Sequence, residues 1–282
     1  MRALFEWAIV LVAATTQHLW LSLWWLPLTA LLIASRQHAM LVLMHDAAHF
    51  RAARSRLAND LFGDALAWPL LLSMRGYRRH HNKHHVADAL NTDGDPDFER
   101  KQRRAPQNWT FPMRRSQLVA LLIRDVLMLN THESIYEGID AKNIEGVASP
   151  HYNAARGLFY VALFSALTLT GTWRWYLLYW VLPSFTWLKA ILRLRSLADH
   201  FALPPAPGAP RALAQTRTIV APWWERLVLA PAHISVHGPH HAYSSVPYYH
   251  LREAHEAMLA APGYRATVSP SYWHAFTHEL AP

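Results

Sequence analysis

Residues 20–49 read WLSLWWLPLTALLIASRQHAMLVLMHDAAH, a long apolar run that ends in two histidines four residues apart, His45 and His49. Upstream, from Ala3 to Ala34, the only strongly polar side chains are Glu6, Gln17 and His18. That span is longer than the roughly 20 residues that cross a bilayer once. Two helices fit it better. The first ends near Thr15, Thr16 and Gln17, and the second runs from about Trp20 through Met44 with Pro27 as a tolerated kink. A signal peptide is disfavoured, because the apolar stretch continues past any small-residue cleavage site and leads straight into the histidine pair.

A second apolar pair lies further on, about Gly157 to Gly171 and Trp173 to Leu192, joined by the turn Thr170, Gly171, Thr172 and framed by Trp173, Trp175, Tyr176 and Trp180 as an interfacial belt. The expectation is an all-α integral membrane protein of one domain, 1–282. It has four crossings in two hairpins, about 3–44 and 157–192, and a cytosolic helical cap formed by 45–156 and 193–282. Shorter apolar runs, Leu61 to Ser73 and Gln117 to Asn130, carry Asp64 or Arg124 and Asp125, so they read as interfacial or buried cap helices, one of which can be re-entrant. Of 27 Lys and Arg, 16 fall between His45 and Arg156 and 8 from Lys189 onward. That excess places the middle segment and the C-terminal tail in the cytosol. The basic runs Arg75, Arg78, Arg79 and Arg100, Lys101, Arg103, Arg104 read as topology and headgroup contacts, and no nucleic-acid module accompanies them. Leu203 to Pro210, rich in Pro and Ala, reads as a loop.

Composition narrows the chemistry. With 13 Trp, 18 Pro and 52% hydrophobic residues the chain departs from ordinary soluble composition, and its net charge is +8. There is no cysteine, which excludes disulfides, thiolate zinc sites, iron–sulfur clusters and cysteine nucleophiles. A bound metal must use N or O ligands. Histidine, at 19 of 282, is the outlier and is bunched.

Three clusters carry it: His45-Asp46-Ala47-Ala48-His49, His80-His81-Asn82-Lys83-His84-His85 and His237-Gly238-Pro239-His240-His241. Positions i, i+3 and i+4 share a helix face, so His45 with His49, and His81 with His84 and His85, can aim imidazoles at a common point. The spacing H-x-x-H-H has a chance expectation of roughly 0.1 per chain at this histidine frequency, yet it occurs twice. His80 competes with His81 for the first place in the middle cluster. A cytosolic cap can gather all three clusters into one site. Imidazole suits iron, zinc, copper or nickel, so ligand type leaves the metal open. Eight histidines are too many for one tetrahedral zinc and suit two metals with open positions. Lone histidines such as His18, His38, His132, His151 and His274 read as surface or hydrogen-bonded residues.

These residues resemble the membrane fatty acid desaturase and hydroxylase superfamily, whose three histidine boxes read H-x(3-4)-H, H-x(2-3)-H-H and H-x(2-3)-H-H. The similarity extends to Tyr77 through His85 followed by Asn91-Thr92-Asp93-Gly94-Asp95-Pro96-Asp97, and to Ser245 through Leu251 with Ala254-His255 after the last box. Arg195-Ser196-Leu197-Ala198-Asp199-His200 is similar to the family's R-x-x-A-E-H segment. The resemblance implies that His200 joins His45, His49, His81, His84, His85, His237, His240 and His241 as a metal ligand. His233 stands where many relatives have Asn, as a further ligand or a group behind the ligands. Asp46, Asn91, Asp93, Asp95, Asp97 and Asp199 are candidates to orient the imidazoles through their second N–H; for the Asp-Gly-Asp-Pro-Asp run the alternative is a turn with helix capping. The family also implies two Fe, O2 as co-substrate, a fatty acyl or other lipid-like substrate, and desaturation, with hydroxylation or carotenoid ketolation as the alternative outcome. The chain has no His-Pro-Gly-Gly heme motif and no rubredoxin cysteines. Its electrons are therefore expected from a separate donor of ferredoxin, rubredoxin or cytochrome b5 type.

Two rivals fit less well. A histidine-rich metal transporter should place ionisable groups near the bilayer midplane, whereas the clusters here follow the helix ends. A metal-dependent hydrolase needs a nucleophile or acid that nothing in the chain marks with comparable specificity.

Overall fold

The computed structural model describes residues 1–133 and 149–281, and it is mostly helical. Segment 134–148 of the expected cap lies outside the described residues. The first hairpin pairs α1 (Arg2–Trp20) with α2 (Leu26–Ala48). Its turn falls at 21–25, later than the sequence reading put it. Gln17 does not end α1, because its polarity is used inward: Nε2 donates to the Ser22 carbonyl (3.1 Å) and Oε1 accepts from Thr29 Oγ1 (2.8 Å). Pro27 sits in the first turn of α2, where its missing N–H would have no helical partner anyway, so it starts the helix instead of kinking it.

The second hairpin begins with α7 (Pro150–Leu169), capped by the Ser149 hydroxyl, and turns at Gly171 with φ +66°. Gly171 supplies the left-handed backbone that a side chain would strain. The return limb was expected to be continuous over 173–192 and is not. It runs as a short helix (Trp173–Tyr176), a π-type segment (Leu177–Val181) and one further turn (Leu182–Phe185). The chain then breaks at Thr186 (φ −111°, ψ −98°) and resumes as α8, Trp187–His200. Pro183 has no N–H for the carbonyl one turn back, which accounts for the disturbed ladder around it.

Between the hairpins lie α3 (Arg56–Ala67), α4 (Met74–His84), α5 (Pro96–Arg104) and α6 (Arg115–Val126). After α8 come β1 (Thr218–Ile219), α9 (Trp223–Val228), α10 (His237–Ala242), α11 (Leu251–Met258) and β2 (Val268–Ser269), with β1 and β2 paired in parallel. One helix among the described residues, Leu23–Ala48, is long and apolar enough to cross a membrane. Apolar side chains also face outward along α1 (Leu4, Leu11, Val12) and α7 (Leu158, Val161, Phe164).

Buried charge holds the elements in register. Arg36 of α2 pairs with Glu6 of α1 at 3.0 Å and also donates to the Leu227 carbonyl, so one guanidinium ties the hairpin to α9. On α8, Arg193 pairs with Asp125 of α6 and with Glu133 (2.6 Å), under the ring of Trp109. Both Arg193 and Asp125 are essentially solvent-free. Removing one partner of such a pair strands a charge at a cost of roughly 3–5 kcal/mol, whereas an apolar pair of similar volume is tolerated. Asp125→Ala should therefore lower the thermal unfolding midpoint of the purified chain markedly, and Asp125→Leu with Arg193→Met and Glu133→Gln, which removes all three charges, should recover most of the loss.

Candidate metal centre

The site is assembled at helix ends. His45 lies in the last turn of α2 and His49 just beyond it. That end leaves carbonyls without helical partners, and Arg78 of α4 takes two of them, donating to Ala48 O (2.9 Å) and Ala47 O (3.0 Å) while pairing with Asp60 at 2.6 Å. Arg78, read in the sequence as part of a topology-setting basic run, thus joins the two helices that bear the first two clusters. Helix α4 starts on the Ser73 cap, stacks Tyr77 on His81 (5.1 Å between ring centres) and ends at His84, with His85 as its C-terminal cap. His200 is the last residue of α8, and α10 carries the third cluster.

The nine histidines singled out in the sequence form two groups. Ring nitrogens of His45, His49, His81, His85 and His240 lie within 4.8 Å of one another, as do those of His84, His200, His237 and His241. The sequence reading aimed His81, His84 and His85 at one point; the structure divides them. His81 and His85, four apart, go to the first group and His84 to the second, while His237 and His241, four apart, go to the second and His240 to the first. Residues four apart lie about 40° apart around a helix and so share a target, whereas their neighbour is turned by about 100°. The groups meet at the His85–His241 ring stack, 4.2 Å between centres.

Within the groups, Nε2 atoms face each other directly: His85 with His81 (2.9 Å) and His240 (3.0 Å), and His200 with His84 (3.3 Å) and His237 (2.8 Å). A single proton on His85 or His200 cannot serve two well-aligned neighbours. A cation can. Nitrogens held about 2.1 Å from a metal in adjacent coordination positions lie about 3 Å apart, the spacing found here. The donor set is all imidazole. Burial first, and then repulsion from neighbouring rings, push the pKa values of His81, His85, His200, His237, His240 and His241 down, and His49 falls to about 3. Neutral rings keep their lone pairs for a metal.

Among the candidate orienting residues, Asp95 touches a ring. Its carboxylate is fully buried, accepts from His84 Nδ1 (2.9 and 3.0 Å), and also accepts from the backbone N–H groups of Asn91 and Asp97. With Nδ1 as donor, Nε2 of His84 is left bare toward His200. The Asp95 carboxylate also caps α5, so the turn-and-cap reading of this run and the orienting reading are both true of one residue. The remaining candidates act at a distance. Asp46 accepts from Tyr248 N (3.1 Å) and stands 3.7 Å from His45 Nδ1, beyond hydrogen-bond reach. Asn91, at φ +56°, donates to the Gln215 carbonyl (2.8 Å), and Asp93 is exposed. Burial alone would raise the Asp97 carboxyl, but Lys101 and Arg100, both paired with it, hold it well below the usual range. Asp199 pairs with Arg195 (2.7 Å), and burial raises it to about 6. His80 and His233 contribute to neither group. His80 points to Arg100 (3.5 Å), and His233 sits in a strained bend at φ +55°.

A family model for fatty acid desaturase matches residues 22–274 of the chain. Dihydrorhizobitoxine desaturase of Bradyrhizobium elkanii is 24% identical over 276 residues, 95% of this chain and 77% of its own length. The sn-1 oleoyl-lipid 12-desaturase of Synechocystis sp. is 25% identical over 249 residues, 83% of this chain and 68% of its own.

Two outcomes follow from the site's physics. Asp95→Ala should weaken metal retention about 10–100-fold, as loss of a ligand's hydrogen-bond partner does elsewhere, while His80→Ala should leave it unchanged; metal content after dialysis against a chelator reads both. The metal-free chain should be acid-sensitive. His49, His81, His85, His200, His237, His240 and His241 have folded pKa values below the unfolded value of about 6.5, so the unfolded state binds more protons and stability falls as pH drops below about 6.5, with no contribution from these rings above it. Asp199 opposes this as one group against many. Thermal midpoints should agree at pH 7 and 8 and be lower at pH 5.5; a flat profile would contradict buried neutral imidazoles.

Proposed function

The chain belongs to the fatty acid desaturase family, and from that membership we propose that it is an oxygen-dependent di-iron desaturase that places a double bond in a fatty acyl or similar lipid-like chain. The observation that carries this reading is the division of nine clustered imidazoles into two adjoining groups, one of five and one of four. A one-metal site has no use for that arrangement. Bound there, two irons supply the oxygen activation that an unactivated methylene requires. His45, His49, His81, His85 and His240 would hold one, and His84, His200, His237 and His241 the other.

The chain's own contribution is placement and exclusion. Asp95 keeps His84 in the tautomer that leaves Nε2 free, and Arg78 fixes the angle between the helices bearing the first two clusters. The buried setting lowers the pKa of seven of the nine rings and keeps bulk water away. For each double bond, O2, two electrons and two protons, together with the two hydrogens removed from the substrate, give two waters. The electrons are proposed to come from a separate carrier of ferredoxin, rubredoxin or cytochrome b5 type. Desaturation is preferred over hydroxylation because both relatives are named desaturases.

The same proposal includes an integral membrane location with four crossings in two hairpins and the histidines on the cytosolic side. It is supported by the apolar helix Leu23–Ala48, the outward apolar faces of α1 and α7, and the distribution of Lys and Arg.

Expression in a host without endogenous desaturation, with mass spectrometry of the lipids and metal analysis of the purified chain, tests it. The expected result is about two irons per chain and a product two mass units lighter. A product sixteen units heavier would move the chain to hydroxylation, and zinc with unchanged lipids would sink the reading. His49→Ala, His84→Ala and His241→Ala should each abolish turnover while still inserting into membranes; His18→Ala and His274→Ala should be nearly silent.

A further inference from the structure

Helix α10 delivers three of the nine imidazoles but cannot cap itself. The residue before it is Val236, whose side chain accepts no hydrogen bond, and Pro239 in its first turn has no N–H. The Gly238 N–H is one of the donors that a helix start leaves without a helical partner. It is taken from a distance: Thr218 Oγ1, on β1, accepts it at 3.0 Å. The same oxygen accepts from the phenol of Tyr264 (3.1 Å), and the Tyr264 oxygen is met by His255 Nδ1 at 2.7 Å. Thr218 and Tyr264 are fully buried, and burial raises the phenol to about 12, so it remains a donor. The approach is so close that a Cβ on residue 238 would lie 2.9 Å from Thr218 Oγ1 and 3.2 Å from the Tyr264 ring, which explains the glycine inside a histidine cluster. His255, set apart in the sequence with Ala254 as part of the tail after the third cluster, belongs to neither imidazole group and ends this chain of hydrogen bonds.

We propose that Thr218, Tyr264 and His255 are positioning residues that set the start of α10, and that they serve the four-histidine group selectively. The selectivity follows from the ligand division. His237 and His241 are half of the second group, whereas His240 is one of five in the first. His237 is also the residue bonded directly to Gly238. A small shift of the helix start therefore removes a larger share of the second group's donors. This inference rests on the two-metal reading proposed above.

The test is a titration of the purified, metal-free full chain in detergent with cobalt(II), followed by its visible absorption. The parent should take up two equivalents. Thr218→Val should bind the first equivalent as the parent does and the second about 10–100-fold more weakly. Thr218→Ser, which restores the acceptor, should recover both equivalents, and Tyr264→Phe, which keeps the ring and removes only the phenol, should weaken the second equivalent by a smaller factor. His233→Ala, in the strained bend just before α10, should change neither. Two parental affinities in Thr218→Val would overturn the inference while leaving the two-metal reading intact. Equal weakening of both equivalents, without recovery in Thr218→Ser, would overturn it in favour of a general packing role. Should Thr218→Val fail to fold, Tyr264→Phe decides by the same criterion. A parent chain that binds no cobalt would overturn the two-metal reading and this one with it.

Discussion

Nine imidazoles gathered into two groups with ring nitrogens a few ångströms apart crowd lone pair against lone pair, and no set of protons can reconcile His85 or His200 with two facing Nε2 atoms at once. The rest of the molecule is organised to hold that arrangement, which a bound cation would reconcile. Histidines at helix termini can converge from several directions, which those along one helix cannot. The cost is that termini fray and leave backbone groups unpaired. Three of the four termini that deliver histidines are accordingly fixed by a polar side chain from another part of the chain: α2 by Arg78, α10 by Thr218, and α8 by Arg217, which donates to the carbonyls of Ala198, Phe201 and Ala202.

These fixing groups are themselves expensive to bury, and their partners show how the cost is met. Arg217 is 1% exposed and is paired with Glu279 at 2.5 Å, so the guanidinium that closes α8 is neutralised by the C-terminal segment. Arg78 is paired with Asp60, and Asp95 spreads its charge over two backbone N–H groups as well as His84. An unpaired buried charge costs several kcal/mol, more than the net gain of any one hydrogen bond of roughly 1 kcal/mol. The network is stable only when complete. That condition links the C-terminal segment to a helix end beside the histidine groups, although Glu279 touches none of the nine clustered imidazoles.

Much of this was legible in sequence because it is local. The four-residue spacing of His45 with His49, His81 with His85 and His237 with His241 fixes which rings share a target, since helix geometry alone decides it. Helical phase does not choose between His81 and His80, since His80 and His84 are also four apart; the structure does, turning His80 to Arg100. What was not legible depends on how helices cross. The assignment of His84 and His240 to the opposite group follows from the relative rotation of α4 and α10, which no spacing encodes. The groups that fix the helix ends are 20 to 31 residues from their targets at Thr218–Gly238 and Arg78–Ala47, and threonine and arginine are too common to stand out at such separations. The turn of the first hairpin was misplaced for the same reason: Gln17 looked like a helix terminator until its partners, Ser22 and Thr29, were known.

The division of the clusters also constrains how the two groups behave. Because α4 and α10 each donate to both, neither group can be rebuilt without disturbing the other. A rigid shift of the whole of α10 carries His240 away from His85 together with His237 and His241, whereas a shift confined to its first residues, which the Thr218 contact sets, falls mainly on His237 in the four-histidine group. Helices α2 and α8 donate to one group each, so displacement of α8 alone acts on the four-histidine group and displacement of α2 alone on the five-histidine group. The two groups are thus coupled through the middle and third clusters and separable through the first cluster and His200. Arg195 lies on the path between the separable parts, since it reaches from α8 to His38 on α2 (3.3 Å) while holding Asp199 beside His200. It is a direct polar tie between the two helices that the shared clusters leave independent, beside the apolar packing of Ala34 against Leu188 and Ile191, and it touches neither group.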